Sequence, residues 1–393
     1  MEKTPLSLRT HVSVFGETNA GKSALFNKLL DQDMSIVSEI SGTTTDPVTK
    51  AMELIPYGPI ALTDTAGLGD TTAIGEKRTK RTERILERTD FAIYAAPCDD
   101  FNREAYKKIQ FIFAKKKIDH LLVFTKSDLG TNGLENEFPN AVFVSVNDAH
   151  SIDHLRSVLS ERLSALAPDE QTMIGSLLSP GSTAVLVIPI DAEAPKGRLI
   201  LPQVQLIRDC LDHGVRAVCV KETELKETLD YLPKTDMVIT DSQAFALVSS
   251  IVPRNIPLTS FSMLMAAMKG DIRVFAEGAQ AIASLKDGDK ILMAEACTHN
   301  VSHEDIGRVK IPALIRKHTG KQLEFEYFVH QDFPESLSEY ALVIHCGGCM
   351  INSRVMKNRT ALCREYSVPI TNYGTALAYL TGILDRSSSV FGL

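Results

Sequence analysis

The chain has 393 residues, 44% of them hydrophobic, with 42 Lys and Arg against 49 Asp and Glu for a net charge of −7. At about 150 residues per domain this length holds two or three domains, and the acidic balance gives no electrostatic reason for nucleic acid as the main partner. No apolar run approaches the roughly 18 residues that span a bilayer, and no leader is visible, so a cytoplasmic protein without a membrane partner is expected.

In chain order, HVSVF (11–15) reads as a strand feeding a glycine-rich loop, and SALFNKLL (23–30) as the helix behind it. Strands follow at IALTDTAG, FAIYAA, HLLVFTK and AVFVSV, with the helix REAYKKIQFIFAKKK between them. The alternation predicts a parallel sheet with covering helices, closed by SIDHLRSVLSERLSALA near residue 167. The basic run at 76–88 is read as a solvated helix face. PDEQTMIGSLLSPGST then supplies a Pro/Gly/Ser-rich linker.

A second strand–helix series runs from AVLVIPI (184–190) through RAVCVK to MVITD, with no phosphate loop of its own. A third begins near residue 266: strands KILMAEA, LEFEYFV, YALVIHC and VPITNY, with helices near 304–318 and 353–366. The expected fold class is therefore α/β, in three α/β domains: 1–170, 171–265 and 266–393. The first carries a P-loop fold, and the other two are smaller parallel-sheet domains.

GETNAGKS (16–23) places Gly16, Gly21, Lys22 and Ser23 at phosphate-loop spacing between a strand and a helix. The glycines let backbone N–H groups wrap a phosphate at a helix N-terminus; Lys22 reaches the β and γ phosphates and Ser23 ligates Mg²⁺. SGTTTDP (41–47) offers Thr44 or Thr45 to Mg²⁺ and the γ phosphate. DTAG (64–67) offers Asp64 to Mg²⁺ through water and the Gly67 N–H to the γ phosphate. In TKSD (125–128), Asp128 accepts both guanine N–H groups, and SVN (145–147) lies where it touches the base. Four collinear motifs select GTP. The expected cradle also takes in Asn19, Ala20, Ala24, Thr125, Lys126, Ser145 and Val146, with Lys22, Thr44 and Gly67 nearest the reacting phosphate.

These motifs resemble the Era/TrmE branch of GTPases over about residues 8–167. The resemblance implies K⁺ at Asn19. Leu68 stands where many signalling GTPases keep a glutamine, so hydrolysis needs another group. The resemblance places a catalytic glutamate at Glu76. TKSD departs from the usual NKxD, since threonine cannot copy the asparagine amide.

The seven cysteines are Cys98, Cys210, Cys219, Cys297, Cys346, Cys349 and Cys363, an odd set that argues against a disulfide framework. Cys98, Cys210, Cys219 and Cys363 are expected in cores. Cys297, Cys346 and Cys349 form C-x-H and H-C-x-x-C elements with His299 and His345. Gly347 and Gly348 ease the turn between the last two thiols. In a parallel sheet the strand C-termini share an edge, which can bring Cys297 to the pair. Three thiolates suit a [4Fe-4S] cluster, and Cys₃His suits structural zinc. Either histidine is a possible fourth ligand or supports a ligand through hydrogen bonds.

A GTPase followed by CTH…HCGGC is similar to the [FeFe]-hydrogenase maturation GTPases over the whole chain. That resemblance implies a middle domain that makes a homodimer or higher assembly. It implies a C-terminal [4Fe-4S] domain acting as scaffold or carrier for a diiron subcluster precursor. It also implies apo-[FeFe]-hydrogenase and radical-SAM maturation enzymes as partners. The alternative from another class is a potassium-activated, zinc-stabilised GTPase in RNA modification or ribosome assembly.

Overall fold

The structure, a computed structural model, describes residues 4–31, 48–65, 82–166, 172–190, 197–296, 306–329 and 332–393. It divides into two compact units, Met1–Asp169 and Glu170–Leu393. Among the described residues no helix is long and apolar enough to cross a membrane.

The first unit contains strands β1 (Thr10–Phe15), β2 (Val48–Leu54), β3 (Gly58–Asp64), β4 (Phe91–Pro97), β5 (Asp119–Thr125) and β6 (Val142–Phe143). Its helices are α1 (Lys22–Leu30), α2 (residues 82–88), α3 (Arg103–Lys115), α4 (Leu134–Glu137) and α5 (Ala149–Leu166). The sheet order is β2-β3-β1-β4-β5-β6. All pairs are parallel except β2 with β3, an antiparallel edge that the parallel-sheet expectation did not include. β1 and β4 are almost wholly buried because helices cover both faces. Leu25 and Leu29 of α1 and Leu155 and Leu159 of α5 pack on one face. Tyr106, Ile109 and Phe113 of α3 pack on the other. α2 buries Ile85 and Leu86 and leaves Glu83 and Glu87 exposed, the amphipathic form of a surface helix.

The second unit holds two four-stranded, all-parallel sheets. The first comprises β7 (Thr183–Val187), β8 (Arg216–Val220), β9 (Met237–Thr240) and β10 (Leu258–Ser260), in order β10-β9-β7-β8, with helices α6 (Leu201–Asp212), α7 (Leu225–Tyr231), α8 (Phe245–Ile251) and α9 (Phe261–Lys269). The second comprises β11 (Lys290–Glu295), β12 (Glu324–Val329), β13 (Leu342–His345) and β14 (Ile370–Asn372), in order β12-β11-β13-β14. Its helices are α10 (Ile272–Gln280), α11 (Ile311–Thr319), α12 (Ser353–Glu365), α13 (Tyr373–Leu380) and α14 (Leu384–Ser388). Side-chain caps fix where these helices begin: Ser260 accepts from the Met263 N–H, Asn352 from Val355 and Asn372 from Thr375. Phe245, Met263, Ala276, Ala279, Ala378 and Leu384 join the two sheets in a shared core. The expected boundary at 265/266 falls inside α9.

Cys98, Cys210 and Cys363 are buried; burial pushes their thiols up to about 11, 12 and 12 respectively. Cys219 is a correction: it is exposed, because β8 is an edge strand.

Candidate functional site

The phosphate loop is built where β1 ends. Gly16 has φ +151°, and a Cβ there would stand 2.2 Å from the Ala95 carbonyl oxygen, so any other residue collides with β4. Asn19 (φ 63°) and Gly21 (φ +78°) complete a left-handed turn that opens α1. Lys22 Nζ donates to the Glu17 carbonyl at 2.6 Å, inside the loop. Burial lowers its pKa, opposed by Asp64 and Glu17. Ser23 Oγ donates to Asp64 Oδ2 at 2.6 Å. Burial raises Asp64, opposed by the Ser23 bond and by Lys22. Its Oδ1 is buried without a hydrogen-bond partner among the described residues. A hydroxyl and a half-satisfied carboxylate facing each other beside a cationic loop are the donor set a hydrated Mg²⁺ takes.

At the other end of the sheet edge, Thr125 Oγ1 donates to the Ala20 carbonyl at 2.8 Å, with the Ala96 carbonyl 3.3 Å away. This threonine thus ties β5 to the phosphate loop. Lys126 has φ 56°, and its Nζ lies 3.4 Å from Asp99. Asp128 is held below the usual carboxylate range by the Ser145 hydroxyl and, further, by the Asn147 side chain. Ser145 is buried, Val146 half-buried and Asn147 exposed. All three belong to the SVN stretch expected at the base, and Asn147 stands beside Asp128. Ala20 is buried and Ala24 exposed. Thr44, Thr45, Gly67 and Glu76 lie outside the described residues, as do Cys297 and His299.

In the second unit, β11 and β13 are parallel neighbours with Ala294 opposite His345. The Cys346 N–H donates to the Ala294 carbonyl at 2.8 Å, and the Ala296 N–H donates to Cys346 Sγ at 3.1 Å. Cys346 is buried and Cys349 half-buried, both as thiols rather than disulfides. Gly348 has φ +65°, where a Cβ would meet Met356 Cε at 2.7 Å. The buried Lys269 Nζ donates to the carbonyls of Gly348 (2.9 Å), Cys349 (3.1 Å) and Ile351 (2.8 Å). Burial pulls Lys269 down to about 8, opposed by Cys349 and Cys346. Lys269 is a residue the sequence reading missed, and no motif pointed to it.

His345 is fully buried, and both ring nitrogens are engaged. Nδ1–H donates to the Cys346 carbonyl at 2.8 Å, and Nε2 accepts from Arg359 Nη1 at 2.7 Å. The arrangement orients the loop rather than presenting a lone pair to it. Among the described residues, no group of three or more His, Cys, Asp or Glu stands together as a metal site.

Residues 11–126 match the model of the 50S ribosome-binding GTPase family. The tRNA modification GTPase MnmE of Caldicellulosiruptor saccharolyticus is 30% identical over 156 residues, 38% of this chain and 33% of that protein. GTPase Der of Wolinella succinogenes is 33% identical over 132 residues, 33% of this chain and 27% of Der. The alignments thus span about a third of these relatives' own length. The G domain of the Thermotoga maritima FeoB iron transporter is 21% identical, covers 39% of this chain and 99% of that domain, and gives a TM-score of 0.30. The first unit is a P-loop GTPase domain, and two further parallel-sheet domains follow it. Those domains carry the more specific relationship: residues 173–270 match the hydrogen maturase F dimerization domain and 273–390 its tetramerization domain. With these two models covering more than half of its length, the chain belongs to the hydrogen maturase F family.

Proposed function

We propose that this chain is a GTP-hydrolysing scaffold or carrier in [FeFe]-hydrogenase maturation. In this reading it holds a [4Fe-4S] cluster on Cys297, Cys346 and Cys349. It accepts a diiron subcluster precursor and delivers it to the apo-hydrogenase, with radical-SAM maturation enzymes as further partners. The observation that carries the reading is the Ala296 N–H directed onto Cys346 Sγ. It supports a shared thiolate site, because Cys297 follows Ala296 directly in the chain and an N–H donor favours a charged sulfur. When bound, the cluster supplies an iron open to an incoming ligand.

In the first unit, loop N–H groups and Lys22 bind the β and γ phosphates and screen the charge that builds up as water attacks. Water oxygen bonds to the γ phosphorus, the β–γ bridging bond breaks, and GDP leaves with inorganic phosphate. Ser23, Thr45 and, through water, Asp64 would hold Mg²⁺, which fits the orphaned Asp64 Oδ1. Asp128 reads guanine. Thr44, the Gly67 N–H and Glu76 address the γ phosphate and the attacking water, and Asn19 would hold K⁺. GTP turnover shifts partner contacts by differential binding to two conformations.

The test is anaerobic purification of the full chain with iron and zinc quantification. Iron with a cluster spectrum is expected, and zinc in its place would overturn the carrier reading. Cys349→Ser should lose the iron and keep GTP hydrolysis. Lys22→Ala should keep the iron and lose about 10²–10³-fold in hydrolysis. Loss of iron with Lys22→Ala would refute independent sites.

A further inference from the structure

We propose that Lys269 is the positioning residue of the Cys346–Cys349 loop: a buried cation that shapes the loop before metal arrives and balances the negative charge of what the thiolates hold. The charge-balance part rests on the cluster reading above; the loop-shaping part does not.

The argument starts from cost. Burying an ammonium is expensive unless its three protons and its charge are answered. At 1% exposed, Lys269 meets the first condition fully, with one proton for each of three backbone carbonyls, all between Gly348 and Ile351. It does not meet the second among the described residues, where no carboxylate comes within 4.0 Å of its nitrogen. Carbonyl dipoles alone leave a net positive charge inside the protein. Its bond to the Cys349 carbonyl sets it against the loop that carries both thiols, so a thiolate-held anion is the counter-charge this lysine faces.

The lysine is itself fixed. It is the last residue of α9, and the following Gly270 sits so close to Phe275 and Met356 that an added Cβ would lie 3.0 and 3.2 Å from them. Met356, one turn into α12, also abuts Gly348. The end of α9, the loop and the start of α12 are thereby clamped in one packing unit. Lys269 falls within the segment matched by the dimerization model, whereas the loop falls within the tetramerization model. The ammonium therefore fastens the thiol loop to the neighbouring domain.

The test uses the full chain with Lys269→Gln, which removes the charge but keeps donors, and Lys269→Met, which removes both. Folding is checked by circular dichroism. In metal-free protein, hydrogen exchange across residues 346–352 should accelerate in Lys269→Met relative to wild type; unchanged exchange overturns the loop-shaping role, whatever metal the wild type binds. In anaerobically reconstituted protein, Lys269→Gln should bind iron about tenfold more weakly, the lower end of what lost support around metal ligands costs. Its cluster midpoint potential, read by redox-titrated electron paramagnetic resonance, should fall, since removing a nearby cation disfavours the added electron. An unchanged potential in a folded, iron-loaded Lys269→Gln overturns the charge-balancing role. A wild type that takes no iron would instead sink the cluster reading and leave the exchange result to decide the rest.

Discussion

Arg359 donates from Nη1 to Nε2 of His345 at 2.7 Å, with both side chains almost fully buried. A guanidinium cannot accept, so the contact fixes the histidine as its Nδ1–H tautomer, and Nδ1–H is then spent on the Cys346 carbonyl. The guanidinium also lies 4.9 Å from the centre of the Phe333 ring. Arg359→Met should therefore leave a buried nitrogen without its donor and destabilise the second unit by about 2 kcal/mol. The chain has no tryptophan, so urea unfolding followed by circular dichroism is the measurement. A variant as stable as wild type would show that this pair does not anchor the loop.

Thr125 stands where the resemblance expects asparagine, and its hydroxyl proton goes to the Ala20 carbonyl in the phosphate loop. Thr125→Val keeps the shape and removes that proton. A buried carbonyl is then left short of a donor, which weakens the loop by about 1 kcal/mol and GTP affinity by about fivefold. Thr125→Ser should retain wild-type affinity. Titration with a fluorescent GTP analogue distinguishes them, and equal affinities for Val and Thr would remove Thr125 from the site.

His11 gives the first unit a pH dependence. Burial, helped by the Arg88 guanidinium, holds it down at about 4, and its Nε2–H donates to the Leu6 carbonyl at 2.9 Å. The folded state thus binds the proton less readily than the unfolded chain, whose histidine titrates near 6.5. The stabilisation is full above about 6.5 and falls as pH drops towards 4, by roughly 3 kcal/mol in total. Comparing wild type with His11→Gln by denaturant unfolding between pH 7 and 4 checks this: the slope should be shallower in the variant. Parallel slopes would mean that His11 is not buried neutral.

The nucleotide half was readable because its chemistry is local. A phosphate loop needs Gly16, Gly21, Lys22 and Ser23 within one turn, and the strand behind it is a continuous apolar run. The same strand–helix alternation announced the two later sheets. Their strand order was not legible, since it depends on which apolar edges meet, nor was the antiparallel β2, whose mixed burial gives a weak period. Cys219 misled because RAVCVK looks like a core strand until β8 is known to lie at an edge. Lys269 was silent for a different reason: its partners are backbone carbonyls some 80 residues downstream, and a carbonyl leaves no mark in the letters.

The register of Ala294 with His345 brings the C-terminal ends of β11 and β13 within one residue of each other. Side chains alternate faces along a strand, so a single-residue insertion within either would rotate every following side chain to the opposite face. The connection between the two strands carries β12, which pairs with β11 from Lys290–Glu324 to Glu295–Val329 and obeys the same parity rule. Tolerance to length change should therefore be low in all three strands, because one inserted residue would turn a buried face outward and a polar one inward.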